Sequence, residues 1–83
     1  MTNSSKKSRR PVHRTVADLV GIGKRIRQIR GFELTQAELA EVLGITQGQL
    51  SKYEVGQNAP TLEILLKLKA HSGKSVDWIL TGE

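Results

Sequence analysis

Between Leu34 and Pro60 the chain reads LTQAELAEVLGITQGQLSKYEVGQNAP, a stretch that marks two helix starts in close succession. Thr35 with Glu38, and Thr46 with Gln49, each fit the capping-box pattern. In that pattern a hydroxyl accepts the N–H of the third helical residue, whose own side chain reaches back to the cap. Gly44 lies between the two boxes, and a residue without Cβ ends a helix most easily in the left-handed region. Only Ile45 separates it from the next cap, so the connection is tight.

The first helix should span Gln36 to Leu43, with Ala37, Leu39, Ala40 and Leu43 as its apolar set. Ala40 is small because two helices crossing at about 90 to 120° around a short turn bring their backbones close. The second should run from Gln47 to about Glu54, with Leu50 and Tyr53 inward and Ile45 closing the turn from beneath. By the 3.6-residue period, positions 47, 48, 51 and 52 then fall on an outer face that is short and polar. Two helix starts at this distance, within residues 36 to 54, have the spacing of a helix-turn-helix.

The remaining segments supply a scaffold. Thr15 with Asp18 predicts a cap for a preceding helix through Leu19, Val20, Ile22, Ile26 and Ile29, which Gly31 stops. Gly21 and Gly23 each weaken its first half by about 1 kcal/mol relative to Ala, so its firm part is expected to begin near Gly23. Lys24 and Arg27 fall on its outer face, with Arg25 at the margin. Gly56 ends the helix that begins at Gln47, and Pro60 stiffens the loop before Thr61 caps another helix. That helix carries Leu62, Ile64, Leu65, Leu66, Leu68 and Ala70, more apolar residues than one face needs, and is expected to be the central core element. Its Leu and Ile positions read as core, and Lys67, Lys69 and Lys74 as a solvated face. Ser75 caps a last short helix with Val76, Trp78, Ile79 and Leu80. Five helices, short loops and no alternating strand pattern predict an all-α domain over residues 15–83.

Charge points to a partner. Lys6, Lys7, Arg9, Arg10 and Arg14 lie in a first stretch of 17 residues that contains no acid. Taking those five from the 13 Lys and Arg leaves eight cations against the eight acids, so the body is neutral. With little apolar surface to repay ordering, residues 1–14 read as a disordered basic arm. A basic arm on a balanced domain suits a polyanion, and nucleic acid before membrane, because no amphipathic helix accompanies the charges. The bland alternative is a tail that only solubilises. Cysteine is absent, which excludes disulfides and thiolate zinc sites and fits a reducing cytoplasm. No apolar run approaches the roughly 18 residues that span a bilayer, and the basic N-terminus lacks the apolar segment of a signal peptide.

The segments LTQAELAEVLGIT, SKYEVGQNAPTLE and VDWILTGE, in register over about Ile22 to Glu83, resemble the lambda-repressor-like helix-turn-helix domains of Cro and phage-repressor type. The resemblance implies a compact five-helix fold whose third helix lies in the major groove of double-stranded operator DNA. Carried over by position, Gln47, Gly48 and Lys52 are base-reading positions, Ser51 lies on the same face, and Gln36 holds a phosphate. Gln57 and Asn58 match loop positions near phosphate, where Val55 and Gln57 replace residues that are often polar or cationic. The arm, with Lys6, Lys7, Arg9, Arg10 and Arg14, is expected to supply the missing backbone contacts. The chemistry agrees: a Gln amide can pair with adenine N6/N7, and Lys can donate to guanine O6/N7. Gly48 is bare where the family usually has a side chain, and it either admits a close approach or reads nothing.

The resemblance also implies an ion pair from Glu54 to the first helix. Arg30 is the candidate, with Arg27 the alternative because the following connection looks one residue shorter than the common form. One short reading helix covers few base pairs, so a homodimer on two half-sites is expected, with Val76, Ile79 and Leu80, together with the Gln57 to Ala59 loop, as candidate contacts. The expected function is a transcriptional regulator, repressing by default. The alternatives are an antitoxin gripping a toxin, or a restriction-modification controller; RNA polymerase is a further possible partner. No metal, cofactor or catalytic role is expected, since His13 lies in the tail, His71 at a helix end, and no acids pair.

Overall fold

A computed structural model describes residues 17–83. Five helices follow in order: α1 (Leu19–Arg30), α2 (Gln36–Leu43), α3 (Gln47–Glu54), α4 (Leu62–Ser72) and α5 (Val76–Thr81), with no strand among the described residues. The all-α expectation holds. Residues 1–14 and the hydroxyl of Thr15, expected as a cap, lie outside the described residues. Asp18 of that pair caps α1, its Oδ1 accepting the Gly21 N–H at 3.0 Å, and the helix runs unbroken through both glycines.

Both capping boxes form in full. Thr35 N–H donates to Glu38 Oε1 (2.9 Å) while Glu38 N–H donates to Thr35 Oγ1 (3.1 Å). Thr46 and Gln49 repeat the exchange at 3.0 and 3.1 Å. The turn between α2 and α3 is a Schellman motif: Gly44, at φ 73°, donates to the Glu41 carbonyl, and Ile45 N–H donates to the Ala40 carbonyl at 3.0 Å. Satisfying those carbonyls within the turn lets α3 start two residues later without unpaired backbone.

The core takes Ile22 and Ile26 from α1, Leu39, Ala40 and Leu43 from α2, and Leu50 and Tyr53 from α3. α4 adds Ile64, Leu65 and Leu68, and α5 adds Ile79. The expectation that α4 is central, with all its Leu and Ile buried, is corrected: Leu62 is 69% and Leu66 52% exposed. α4 lies at the edge of the bundle and offers it one face. Val20, expected with the core face of α1, is also largely exposed. Lys67 is not simply solvated, because its Nζ donates to the Leu43 carbonyl at the end of α2 (3.2 Å) and pairs with Glu63 (3.4 Å).

α1 and α3 pack more closely than side chains alone would allow. A Cβ built on Gly23 would lie 2.5 Å from the carbonyl oxygens of both Tyr53 and Glu54. Gly23, which the sequence marks only as a weak point of α1, is therefore the place where α1 meets the end of α3.

Candidate nucleic-acid interface

The outward face of α3 is built by elimination. Leu50 and Tyr53 turn into the core, leaving Gln47, Gly48 and Lys52 exposed and Ser51 half-buried on the opposite side. No heavy atom comes nearer than 3.9 Å to a Cβ added at Gly48. Gly48→Ala is thus expected to raise stability by up to about 1 kcal/mol, since a helical Gly gains from acquiring a methyl that meets no obstacle. Chemical denaturation measures this; a loss of stability would show that the bare backbone is needed within the free protein.

Behind that face runs a chain of polar contacts. Arg30 grips the Glu54 carboxylate with two parallel bonds, Nε to Oε2 at 2.8 Å and Nη2 to Oε1 at 3.0 Å. Its Nη1 donates to the Leu34 carbonyl at 3.1 Å, tying in the loop before α2. The bond to Glu54 raises the guanidinium pKa further, so this cation is permanent. The choice between Arg30 and Arg27 falls to Arg30; Arg27 donates instead to the Gly31 carbonyl (3.0 Å). Glu54 Oε1 also accepts from Gln36 Nε2 at 3.0 Å, and Gln36 Oε1 accepts from Gln47 Nε2 at 3.4 Å.

These contacts fix which way each amide points. Gln36 presents its oxygen to Gln47 and its nitrogen to the carboxylate, leaving one Nε2 hydrogen toward solvent. Gln47 keeps its own Oε1 and one Nε2 hydrogen free, the acceptor-donor pair that matches adenine N6/N7. The link from Glu54 through Gln36 to Gln47 joins residues that the sequence offers separately. The only hint of it in sequence is a Gln at the first position of both α2 and α3.

Gln57 and Asn58 follow α3 in a loop that folds back on it. Their N–H groups both point to the Lys52 carbonyl, at 2.9 and 3.4 Å, so what they can offer a phosphate is their exposed side-chain amides. The candidate dimer residues divide. Ile79 is fully buried and belongs to the core, which corrects its assignment to a partner surface, while Val76 and Leu80 are half-buried. The cause is Arg25, which the sequence leaves at the margin of an outer face. Its Nε and Nη2 donate to the carbonyls of Ile79 and Leu80, at 2.7 and 3.0 Å, holding α5 against α1.

A helix-turn-helix family model matches residues 24–79, from within α1 to α5. The chain belongs to the helix-turn-helix family. Among curated proteins it is 39% identical over 59 residues to the prophage-derived HTH-type transcriptional regulator YonR of Bacillus subtilis, covering 71% of this chain and 53% of that protein. It is 34% identical over 61 residues to the HTH-type transcriptional activator BcrR of Enterococcus faecalis, covering 72% of this chain and 30% of that one. The chain thus spans about half, or less, of the curated relatives it matches. Among solved structures, the P22 c2 repressor bound to a synthetic operator superposes with a TM-score of 0.69 at 32% identity, over 75% of this chain and 96% of that one. The restriction-modification controller C.AhdI of Aeromonas hydrophila gives 0.67 at 30% identity, over 76% and 97%. The resemblance to lambda-repressor-like domains, read from LTQAELAEVLGIT and its neighbours, holds for sequence and fold alike. The family is one of DNA-binding regulators rather than enzymes. Among the described residues no group of His, Asp and Glu is placed to hold a metal, and no helix is long and apolar enough to cross a membrane.

Proposed function

We propose that the chain is a sequence-specific DNA-binding transcriptional regulator that reads an operator with α3 in the major groove. The observation that carries this reading is the pre-set pair of amides. Gln47 stands at the first turn of α3 with a free donor and acceptor, oriented by Gln36 and through it by Glu54 and Arg30. Pre-orientation limits the side-chain entropy lost on binding, which is where a short polar face would otherwise fail. Ser51 and Lys52 extend the readout along the same side, and Gly48 leaves room between them and the base edges. Gln36, through its spare Nε2 hydrogen, holds a phosphate, and the amides of Gln57 and Asn58 hold others.

Two copies on half-sites about one helical turn apart supply the specificity that one such helix lacks. The cations of residues 1–14 supply affinity without sequence preference, and removing them should lower the slope of log K against log salt by about 0.9 for each phosphate they had neutralised. Repression by occupying the operator is the simplest mode of action; the P22 c2 repressor, which the fold resembles, is in complex with a synthetic operator. A controller of a restriction-modification system is the second reading, favoured by the likeness to C.AhdI.

Selection from random duplexes should return a recurring half-site in inverted repeat. Gln47→Ala and Lys52→Ala are each expected to relax preference at one base pair by about 1–3 kcal/mol. If either lowers affinity equally for selected and random DNA, it is not a reader.

A further inference from the structure

The last turns of α1 and α4 and the start of α5 enclose a pocket of about 260 Å³. Gln28 and Ile29 come from α1, His71 and Ser72 from α4, and Lys74 and Trp78 from the following loop and α5. No residue of α2 or α3 lines it, so it is separate from the reading face. The volume lies just below the range of about 300–1,000 Å³ that takes drug-sized ligands, so the pocket suits a small molecule. Ile29 and the half-buried Trp78 give it apolar walls.

Its polar surroundings carry both signs. Lys74 reaches over the Trp78 ring, its Nζ 4.8 Å from the centroid, and has no carboxylate partner among the described residues. A cation–π contact at an exposed site contributes little, so the ammonium can exchange it for an anion. The Ser72 hydroxyl is already committed, donating to the Leu68 carbonyl at 2.7 Å and accepting the Lys74 N–H at 3.0 Å, which fixes the loop from which Lys74 reaches. The other charge is negative. Gln28 and Ile29 lie in the last turn of α1, and His71 and Ser72 in the last turn of α4. Carbonyl ends of helices carry partial negative charge and favour a cation.

We propose that this pocket binds a free α-amino acid with an apolar side chain. Its carboxylate pairs with Lys74, its ammonium group turns toward the carbonyl ends of α1 and α4 and the Gln28 amide oxygen, and its side chain packs on Trp78 and Ile29. A carboxylate alone would meet the negative helix ends, and an amine alone would meet Lys74. A ligand with both groups on one carbon satisfies both.

Trp78 is the only tryptophan of the chain, so its fluorescence reports on the pocket directly. Titration of the full chain with phenylalanine or leucine, neither of which absorbs where indole is selectively excited, should give a saturable change with a dissociation constant on the order of 1 mM. Phenylpropanoate, which lacks the ammonium group, and phenethylamine, which lacks the carboxylate, should each bind about tenfold more weakly than phenylalanine. Lys74→Gln should weaken phenylalanine by about tenfold and phenethylamine not at all, with an unchanged unfolding midpoint because Lys74 is exposed. Titration midpoints are compared, since the substitution also takes the cation off the ring. No saturable change with either amino acid up to about 10 mM overturns the site. So does a Lys74→Gln variant with undiminished affinity for phenylalanine. A singly charged analogue that binds as tightly as phenylalanine overturns the amino acid as its ligand.

Discussion

Arg30→Ala is expected to lower the unfolding free energy by about 1–3 kcal/mol, the cost of leaving a largely enclosed acceptor without its hydrogen-bond donor. The loss is large because of what stays behind. The side chains of Glu54 and Arg30 are only 6% and 14% exposed, so the carboxylate remains enclosed with Gln36 as its sole side-chain donor. The Leu34 carbonyl loses its donor as well. In a domain of this size that is a large part of the total stability. Urea denaturation reads the change directly. Arg30→Lys should recover only part of it, because an ammonium cannot make the two parallel bonds. Where the variant is still folded, base preference should persist, since Glu54 continues to hold Gln36. Altered preference with unaltered stability would sink the assignment of Arg30 to the scaffold.

The second large effect is expected at Gly23. Substitution by Ala would gain about 1 kcal/mol of helix propensity. Against that, the new methyl would fall 2.5 Å from two backbone carbonyl oxygens and 2.8 Å from the Glu54 carbonyl carbon, none of which can rotate away. Only a shift of α1 off the end of α3 relieves the clash, and overpacking of that kind costs about 1–3 kcal/mol net, occasionally more. Gly21→Ala is the control. Its Cβ would crowd the Asp18 carboxylate and, at 3.3 Å, Nη2 of Arg25, both at the ends of flexible side chains; the carboxylate can turn aside at the expense of a helix cap. The net change there should be within about 1 kcal/mol of zero. Equal thermal midpoints for the two variants would show that α1 does not rest on the α3 terminus as described.

Much of the architecture was legible because it is local. The two capping boxes, the Gly44 turn and the inward Leu50 and Tyr53 depend on residues within a few positions of each other, and all are found where the sequence puts them. The reading face was legible for the same reason, being whatever α3 does not bury. Errors arose where one helix must be placed against another. Leu62 and Leu66 satisfy the apolar pattern of a core helix, yet periodicity does not say how many faces of α4 other helices will cover. Ile79 looks like spare apolar surface until Arg25, 54 residues earlier, fastens the end of α5 onto α1. Gly23 looks like a flaw in a helix until the backbone of α3 arrives beside it.

By itself the sequence determined the helices, their caps, the tight turn and the polar outer side of α3, since each follows from backbone chemistry and side-chain period within one short segment. Only the tertiary structure decided that Arg30 rather than Arg27 holds Glu54, that Glu54 turns Gln36 toward Gln47, and that α5 gives its isoleucine to the core while α4 keeps a leucine ridge outside. Those outcomes depend on distances between segments far apart in the chain. Such distances are set by packing all five helices at once, a condition that no single stretch of the sequence carries.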